Sequence, residues 1–323
     1  MKSVYRLLVP LVSALALFAG SAIAQSYPSK PIHHIVPWPP GGVTDVLSRV
    51  VAQAMGESMG QQFLIENRPG AGGTIGVAVV AKAAPDGYTV MTSDIPSHAI
   101  SATLYAKLPY DVVNDFEAIG VVAGSPMVLA ANPALGAKTL AEFIALAKAR
   151  NPKFAYASSG NGSITHLAVE RLKQMAGIDM VHVPYKGTVP AITAVLSGDA
   201  AVAFGTIPGV VPHEKAGKLV LLGGSFSKRF AQIPNVPAIA ETVPGYDMGF
   251  YTGFFVPAKT PRPIIERLHA ELTKAFAQPR VKQVFEASAA EPGNMSPEQL
   301  RAYLVEEVKA WGEAVRATGL KID

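Results

Sequence analysis

The stretch best suited to chemistry in this chain is Pro39-Pro40-Gly41-Gly42-Val43-Thr44-Asp45. It follows the apolar run Ile32 to Val36 and opens an amphipathic one (Val46, Leu47, Val50, Val51, Ala54, Met55), the pattern of a strand turning into a helix. A helix start leaves backbone N–H groups unpaired at the positive end of the helix dipole, and Gly41 and Gly42 carry no Cβ to hold off a ligand's oxygens. Such a turn is an anion seat. A second one, Ser158-Ser159-Gly160-Asn161-Gly162-Ser163, lies between the strand-like Phe154-Ala155-Tyr156 and a helix carrying Leu167, Val169, Leu172 and Met175.

Other residues gather around these turns. Trp38 admits two readings, a core aromatic or a wall over the ligand, since two prolines stiffen the turn that follows it. Asp45 reads as structural, because a carboxylate near a helix N-terminus is stabilised by the dipole and would repel an anion. His98, Tyr185 and Thr206 fall at strand ends or turns, where cleft residues of parallel α/β sheets collect. Ser163 and His166 stand at i and i+3, as a nucleophile and its base would. No third group to orient the base is identifiable, and serine at a helix N-cap with histidine beside it is the simpler reading.

Catalytic and metal signatures are otherwise missing. Gly70-Ala71-Gly72-Gly73-Thr74-Ile75-Gly76 approaches a dinucleotide fingerprint, but Ile75 occupies the place of its third glycine. There is no Walker A lysine, no G-x-S-x-G elbow and no H-x-x-x-H spacing, and His33 and His34 point to opposite faces of a strand. Cysteine is absent, which excludes disulfides, cysteine metal sites and a lipid anchor at the N-terminus. These observations predict a protein that is not an enzyme and takes no metal or cofactor.

Lys2 and Arg6 precede an unbroken apolar run from Leu7 to Phe18, and Ala22-Ile23-Ala24 then supplies a small-x-small cleavage pattern. The chain is therefore expected to reach the periplasm with residues 1–24 removed after Ala24. That removal takes two of the charges behind the net +4 and no acid, leaving a near balance that argues against nucleic acid as a partner.

The elements that must position the two turns alternate regularly. Strands are expected at 63–65, 89–91, 118–122, 127–131, 180–183, 200–204 and 219–222, and helices at 74–83, 99–105, 189–196 and 210–216; another opens at Thr139 with a capping box to Glu142. This alternation predicts parallel α/β sheets. The closing helices, about 261–277, 280–289 and 297–317, lack strands between them and form a tail. Two turn-centred α/β lobes facing each other across a cleft follow, with residues 25–124 and 247–323 in one lobe and 125–246 in the other.

Taken in order, Tyr27-Pro28-Ser29-Lys30-Pro31-Ile32, Pro37 to Asp45, Glu66-Asn67-Arg68-Pro69-Gly70-Ala71-Gly72-Gly73, Ala84-Pro85-Asp86-Gly87-Tyr88-Thr89, Leu104-Tyr105, Leu108-Pro109-Tyr110-Asp111 and Asp115-Phe116 resemble the signature of the tripartite tricarboxylate transporter receptors, the TctC-like or Bug proteins. Ser158 to Ser163 with His166-Leu167, and Val183-Pro184-Tyr185-Lys186-Gly187 with Pro190-Ala191, resemble the family's second-lobe pattern. The resemblance covers essentially the whole chain after residue 24. It implies a type II periplasmic binding protein, α/β in fold, that closes two lobes on a small organic carboxylate (di-, tri- or aromatic). Backbone amides, hydroxyls and waters would hold that anion, which carries over to Gly41, Gly42, Thr44, Ser158, Gly160 and Ser163. The implied partners are a large and a small membrane subunit of a transporter; the receptor itself is expected to be a monomer.

Three departures stand out. Ser101, Ala194 and Gly205 occupy positions where the family often has Asn, Asp and Asp. An acid lost at Gly205, on what resembles the cleft wall, would leave a ligand ammonium unmatched and favour simple or aromatic carboxylates over amino acids. Two other outputs compete with transport: presentation of the loaded receptor to a sensor kinase, and a secreted hydrolase built on Ser163 and His166.

Overall fold

The computed structural model describes residues 27–149, 152–230, 233–318 and 321. The expected cleavage after Ala24 lies outside them. The chain runs β1 (Ile32–Val36), α1 (Val43–Met59), β2 (Phe63–Asn67), α2 (Thr74–Ala81), β3 (Thr89–Asp94), α3 (Ile95–Leu104) and β4 (Phe116–Ser125), then passes through Pro126 into β5 (Met127–Ala131). There follow α4 (Leu140–Ala149), β6 (Ala155–Ser158), α5 (Ile164–Ala176), β7 (Val181–Pro184), α6 (Thr188–Ser197), β8 (Val202–Thr206), α7 (Ile207–Lys215) and β9 (Val220–Gly224). The last part is β10 (Phe250–Pro257), α8 (Arg262–Ala275), α9 (Pro279–Ala287), the two-residue β11 (Glu291–Pro292) and α10 (Pro297–Thr318).

Two sheets result, ordered β11-β4-β10-β3-β1-β2 and β7-β6-β8-β5-β9. Neither is purely parallel, which corrects the expectation from the alternation. β1 pairs parallel with β2 and β3, and β6 with β7 and β8, whereas β10 runs antiparallel to β3 and β4, and β5 antiparallel to β8 and β9. The reason is the route of the chain. Strands followed by helices run toward the gap between the lobes and end there, but β5 and β10 enter from the opposite lobe at that gap and must run away from it. Local sequence pattern carries no record of that direction.

The crossings are tied together by one serine. Ser225, fully buried, donates its amide to Met127 O (2.8 Å), accepts the Met127 amide on its hydroxyl (3.1 Å) and accepts the Met248 amide on its carbonyl (2.8 Å). Pro126 breaks strand pairing between Ser125 and Met127 because it has no N–H to give. The two connections between the lobes thus lie side by side, as a hinge requires.

Helix α1 shows how apolar spacing sets the packing. Val43, Leu47, Val50, Val51, Ala54, Met55 and Met59 recur at three- and four-residue intervals and are buried, each large side chain contributing roughly 1.5–3 kcal/mol. Gly60, at φ 69°, ends the helix in the left-handed conformation that glycine adopts without strain.

Four histidines are held neutral inside the molecule. Burial lowers His34 to about 3, His98 to about 4 and His166 to about 4, and burial with the neighbouring His166 ring lowers His182 to about 3. The unfolded chain takes up these protons below about pH 6.5 while the native one does not, so their contribution is complete above that pH and is lost as pH falls toward 4. The slope reaches about 1.4 kcal/mol per pH unit for a fully buried ring, and less for the partly exposed His182. Asp94, which burial raises to about 7, acts in the opposite sense and loses stability as pH rises from about 4. Four groups outweigh one, so denaturant midpoints are expected to fall between pH 7.5 and pH 5; an equal or higher midpoint at pH 5 would contradict the neutral assignment.

Candidate ligand-binding site

Between the sheets lies a chamber of about 30 Å³ lined by Trp38, Pro39, Gly42, Val43, Thr44, Asp94, Met127, Ser159, Ile164, Thr165, Thr188, Val189, Gly205, Thr206 and Phe250. The starts of five helices meet there: α1 through Gly42 to Thr44, α3 through Asp94, α5 through Ile164 and Thr165, α6 through Thr188 and Val189, and α7 through Gly205 and Thr206. Each contributes the equivalent of about half a positive charge and up to four unpaired N–H groups. On four of them, α1, α3, α6 and α7, no side chain caps the N-terminus. What the arrangement can do is hold negative charge by backbone alone.

The first turn is braced from behind. Asp45, buried, accepts the Gly41 amide (3.0 Å), Arg49 Nε (3.0 Å) and Asn67 Nδ2 (2.8 Å), and Asn67 also donates to Trp38 O (2.8 Å). Burial pushes its carboxyl up, but the Arg49 guanidinium, the Gly41 amide and Asn67 together hold it below its usual value. Asp45 is structural, as its place at the helix start suggested. The same bond removes Gly41 from the candidate contacts: its amide is spent on Asp45, and it does not line the chamber. Gly42 and Thr44 do.

The second turn consumes itself. Ser159 N donates to Thr165 Oγ1, Gly160 N to Ser158 Oγ, Gly162 N to His166 Nδ1, and His166 N to the Ser163 hydroxyl, which in turn donates to Gly160 O. Ser158 and Ser163 are fully buried in this network and do not line the chamber. Two side chains of this segment not anticipated from sequence, Ser159 and Thr165, line the chamber instead, their hydroxyls bonded to each other at 2.8 Å. The His166 ring faces Gly162 rather than Ser163 Oγ, so no nucleophile–base pair exists there. A different pair does, Ser158 Oγ with His182 Nε2 at 2.6 Å, but Ser158 is fully buried and lines none of the cavities found between the lobes.

The remaining candidates divide. Thr206 and Trp38 line the chamber. Gly160 and Tyr185 line an outer vestibule of about 360 Å³ with Gly70 to Gly72, Tyr105 and Lys186, and Trp38, Pro39 and Ser159 separate the two spaces. His98 is in neither. It sits 2 % exposed in the core of lobe one, bonded through Nε2 to Val112 O (2.8 Å) and packed against Tyr110, Phe116 and Phe255. Gly205 lines the chamber with its backbone, yet a Cβ there would meet Val210 (2.3 Å) and Ile192 (2.9 Å) in the core behind it. An acid at that position would point into the core, so its absence gives no reason to disfavour amino acids as ligands. The acid that does reach the chamber is Asp94, which the sequence reading passed over although an acid before Ile-Pro marks a helix start.

The lips are in contact. A Cβ on Gly187 would lie 2.4 Å from Pro39 Cγ, one on Gly72 would lie 2.8 Å from Asn161 O, and the Ile164 amide donates to Ser97 Oγ (3.0 Å) across the gap. A volume of about 30 Å³ is water-sized, so entry of a larger solute requires the lobes to part. Among the described residues no group of three or more His, Cys, Asp or Glu could hold a metal ion.

Two α/β lobes shut on a chamber ringed by helix N-termini define a solute-binding receptor of the periplasmic binding protein class. The chain belongs to the tripartite tricarboxylate transporter family receptors, whose family model matches residues 47–320. It is 36 % identical over 311 residues to protein BugT of Bordetella pertussis, covering 96 % of this chain and 95 % of that one. Among solved structures, Rpa4515 of R. palustris with adipate is 30 % identical with a TM-score of 0.87 (91 % of this chain, 99 % of that one). MatC from Rhodopseudomonas palustris with bound malate is also 30 % identical, with a TM-score of 0.84 (90 % and 100 %). The family consists of receptors rather than enzymes, which disposes of the hydrolase reading.

Proposed function

We propose that this receptor captures a small organic carboxylate in the chamber and passes it to the large and small membrane subunits of a tripartite transporter, acting in the periplasm as a monomer after loss of residues 1–24. The carrying observation is the convergence of five helix N-termini on one closed space. The amides of Gly42 to Thr44 form the main seat, with hydroxyls of Thr44, Ser159, Thr165, Thr188 and Thr206 around it. Micromolar affinity needs about 8 kcal/mol. A partly buried helix terminus contributes up to about 2 kcal/mol, so several must act together, and only closure brings them together. Residues 25–124 with 247–323 would move against 125–246 about the Ser225 clasp.

The adipate and malate held by the two structural relatives favour dicarboxylates as the first ligands to try. A thermal-shift series with adipate, malate and succinate, against neutral diamides of the same length, is expected to raise the Tm only for the acids. Equal shifts with the diamides, or none with any carboxylate, would refute the reading.

A further inference from the structure

Two side-chain atoms in the chamber wall are both buried and unpaired. Asp94 is 1 % exposed and Trp38 9 % exposed, both line the chamber, and Asp94 Oδ1 and Trp38 Nε1 are buried without any hydrogen-bond partner. Buried polar atoms without partners cost about 1–3 kcal/mol each, more when charged. Such a cost is tolerated where a ligand removes it. The two groups are neighbours: the Ser97 hydroxyl and the Trp38 indole N–H lie close enough to the Asp94 carboxyl to draw its pKa back against the burial that raises it to about 7, yet the indole N–H completes no hydrogen bond of normal geometry with it.

The two atoms ask for different things. Above about pH 7, where Asp94 is ionised, its Oδ1 only accepts, and Trp38 Nε1 only donates. A ligand ammonium could serve the first but not the second, and a second carboxylate could serve the second but not the first. A hydroxyl does both. The surrounding helix N-termini further oppose a cation. Resting on the carboxylate reading above, we propose that Asp94 and Trp38 form a hydroxyl-recognition subsite, which selects hydroxycarboxylates over plain and amino carboxylates of the same length. The ligand's carboxylate takes the amides of α1, while its hydroxyl donates to Asp94 Oδ1 and accepts from Trp38 Nε1.

Titration calorimetry of the mature receptor at about pH 8, above the raised Asp94 pKa, with malate, succinate and aspartate, which differ only in carrying a hydroxyl, a hydrogen or an ammonium on one carbon, tests this directly. Malate is expected to bind at least about tenfold more tightly than either, the worth of one charge-assisted hydrogen bond. In Asp94→Ala and, separately, in Trp38→Phe, the ratio of malate to succinate affinity should fall toward one. Succinate binding as tightly as malate in the unsubstituted protein, or a ratio unchanged in both variants, would overturn the subsite while leaving carboxylate capture standing. Failure of all three acids to bind would overturn the subsite, and failure of adipate as well would overturn carboxylate capture with it.

Discussion

Gly42→Asp is expected to cost at least a hundredfold in carboxylate affinity while leaving the fold intact. Gly42 is the N-cap of α1 at φ −73°, a conformation open to any residue, and a Cβ there would find no protein atom nearer than Pro39 O at 3.9 Å. Aspartate is among the preferred N-cap residues. Its carboxylate would accept the helix's own free amides and place a negative charge beside the chamber, removing the seat and repelling the ligand at once. At an effective dielectric constant of about 20, two like charges about 4 Å apart cost roughly 4 kcal/mol, ample for the stated loss. Calorimetry gives the affinity, and thermal denaturation without ligand should show an equal or higher Tm. Undiminished affinity would remove the first turn as the anion seat.

Gly187→Ala should act on closure rather than on chemistry. Its φ of 123° already disfavours a side chain, and the added Cβ would stand 2.4 Å and 2.7 Å from the Pro39 ring on the opposite lip. The backbone strain, about 1–3 kcal/mol, is common to open and closed forms; the overlap with a rigid ring exists only in the closed one. Apparent affinity falls by the fraction of molecules able to close, and a loss of roughly a hundredfold is expected. Small-angle scattering should show that saturating ligand no longer contracts the molecule. Contraction and affinity equal to those of the unsubstituted protein would argue that the lips do not gate binding.

Much of the plan could be read before any coordinates. Glycine-rich corners after apolar runs marked both turns, since strand–turn–helix transitions obey local rules of spacing and capping. Which amides remain free was not legible. The Gly41 bond to Asp45 and the Gly162 bond to His166 are made inside their own turns, but they depend on side-chain rotamers that spacing leaves open. His98 follows a strand end, as a cleft residue should, yet the aromatic pocket of Tyr110, Phe116 and Phe255 captures it from three separate segments. Helix α3 begins at Ile95 rather than at Ala99, with Pro96 in its first turn and Asp94 at its N-cap position, and that misplaced start hid the chamber's acid. Thr188 and Thr165 sit inside helices whose beginnings, not bodies, face the ligand.

The two corners are unlike in a way that bears on how an anion would be held. One offers unspent amides on a braced frame. The other has turned its amides inward, which leaves the second half's pull on negative charge to the uncapped starts of α6 and α7 beside it. An anion seated on the first half would thus meet like-signed dipoles from the second only on closure, so the shut form would be gripped from both sides.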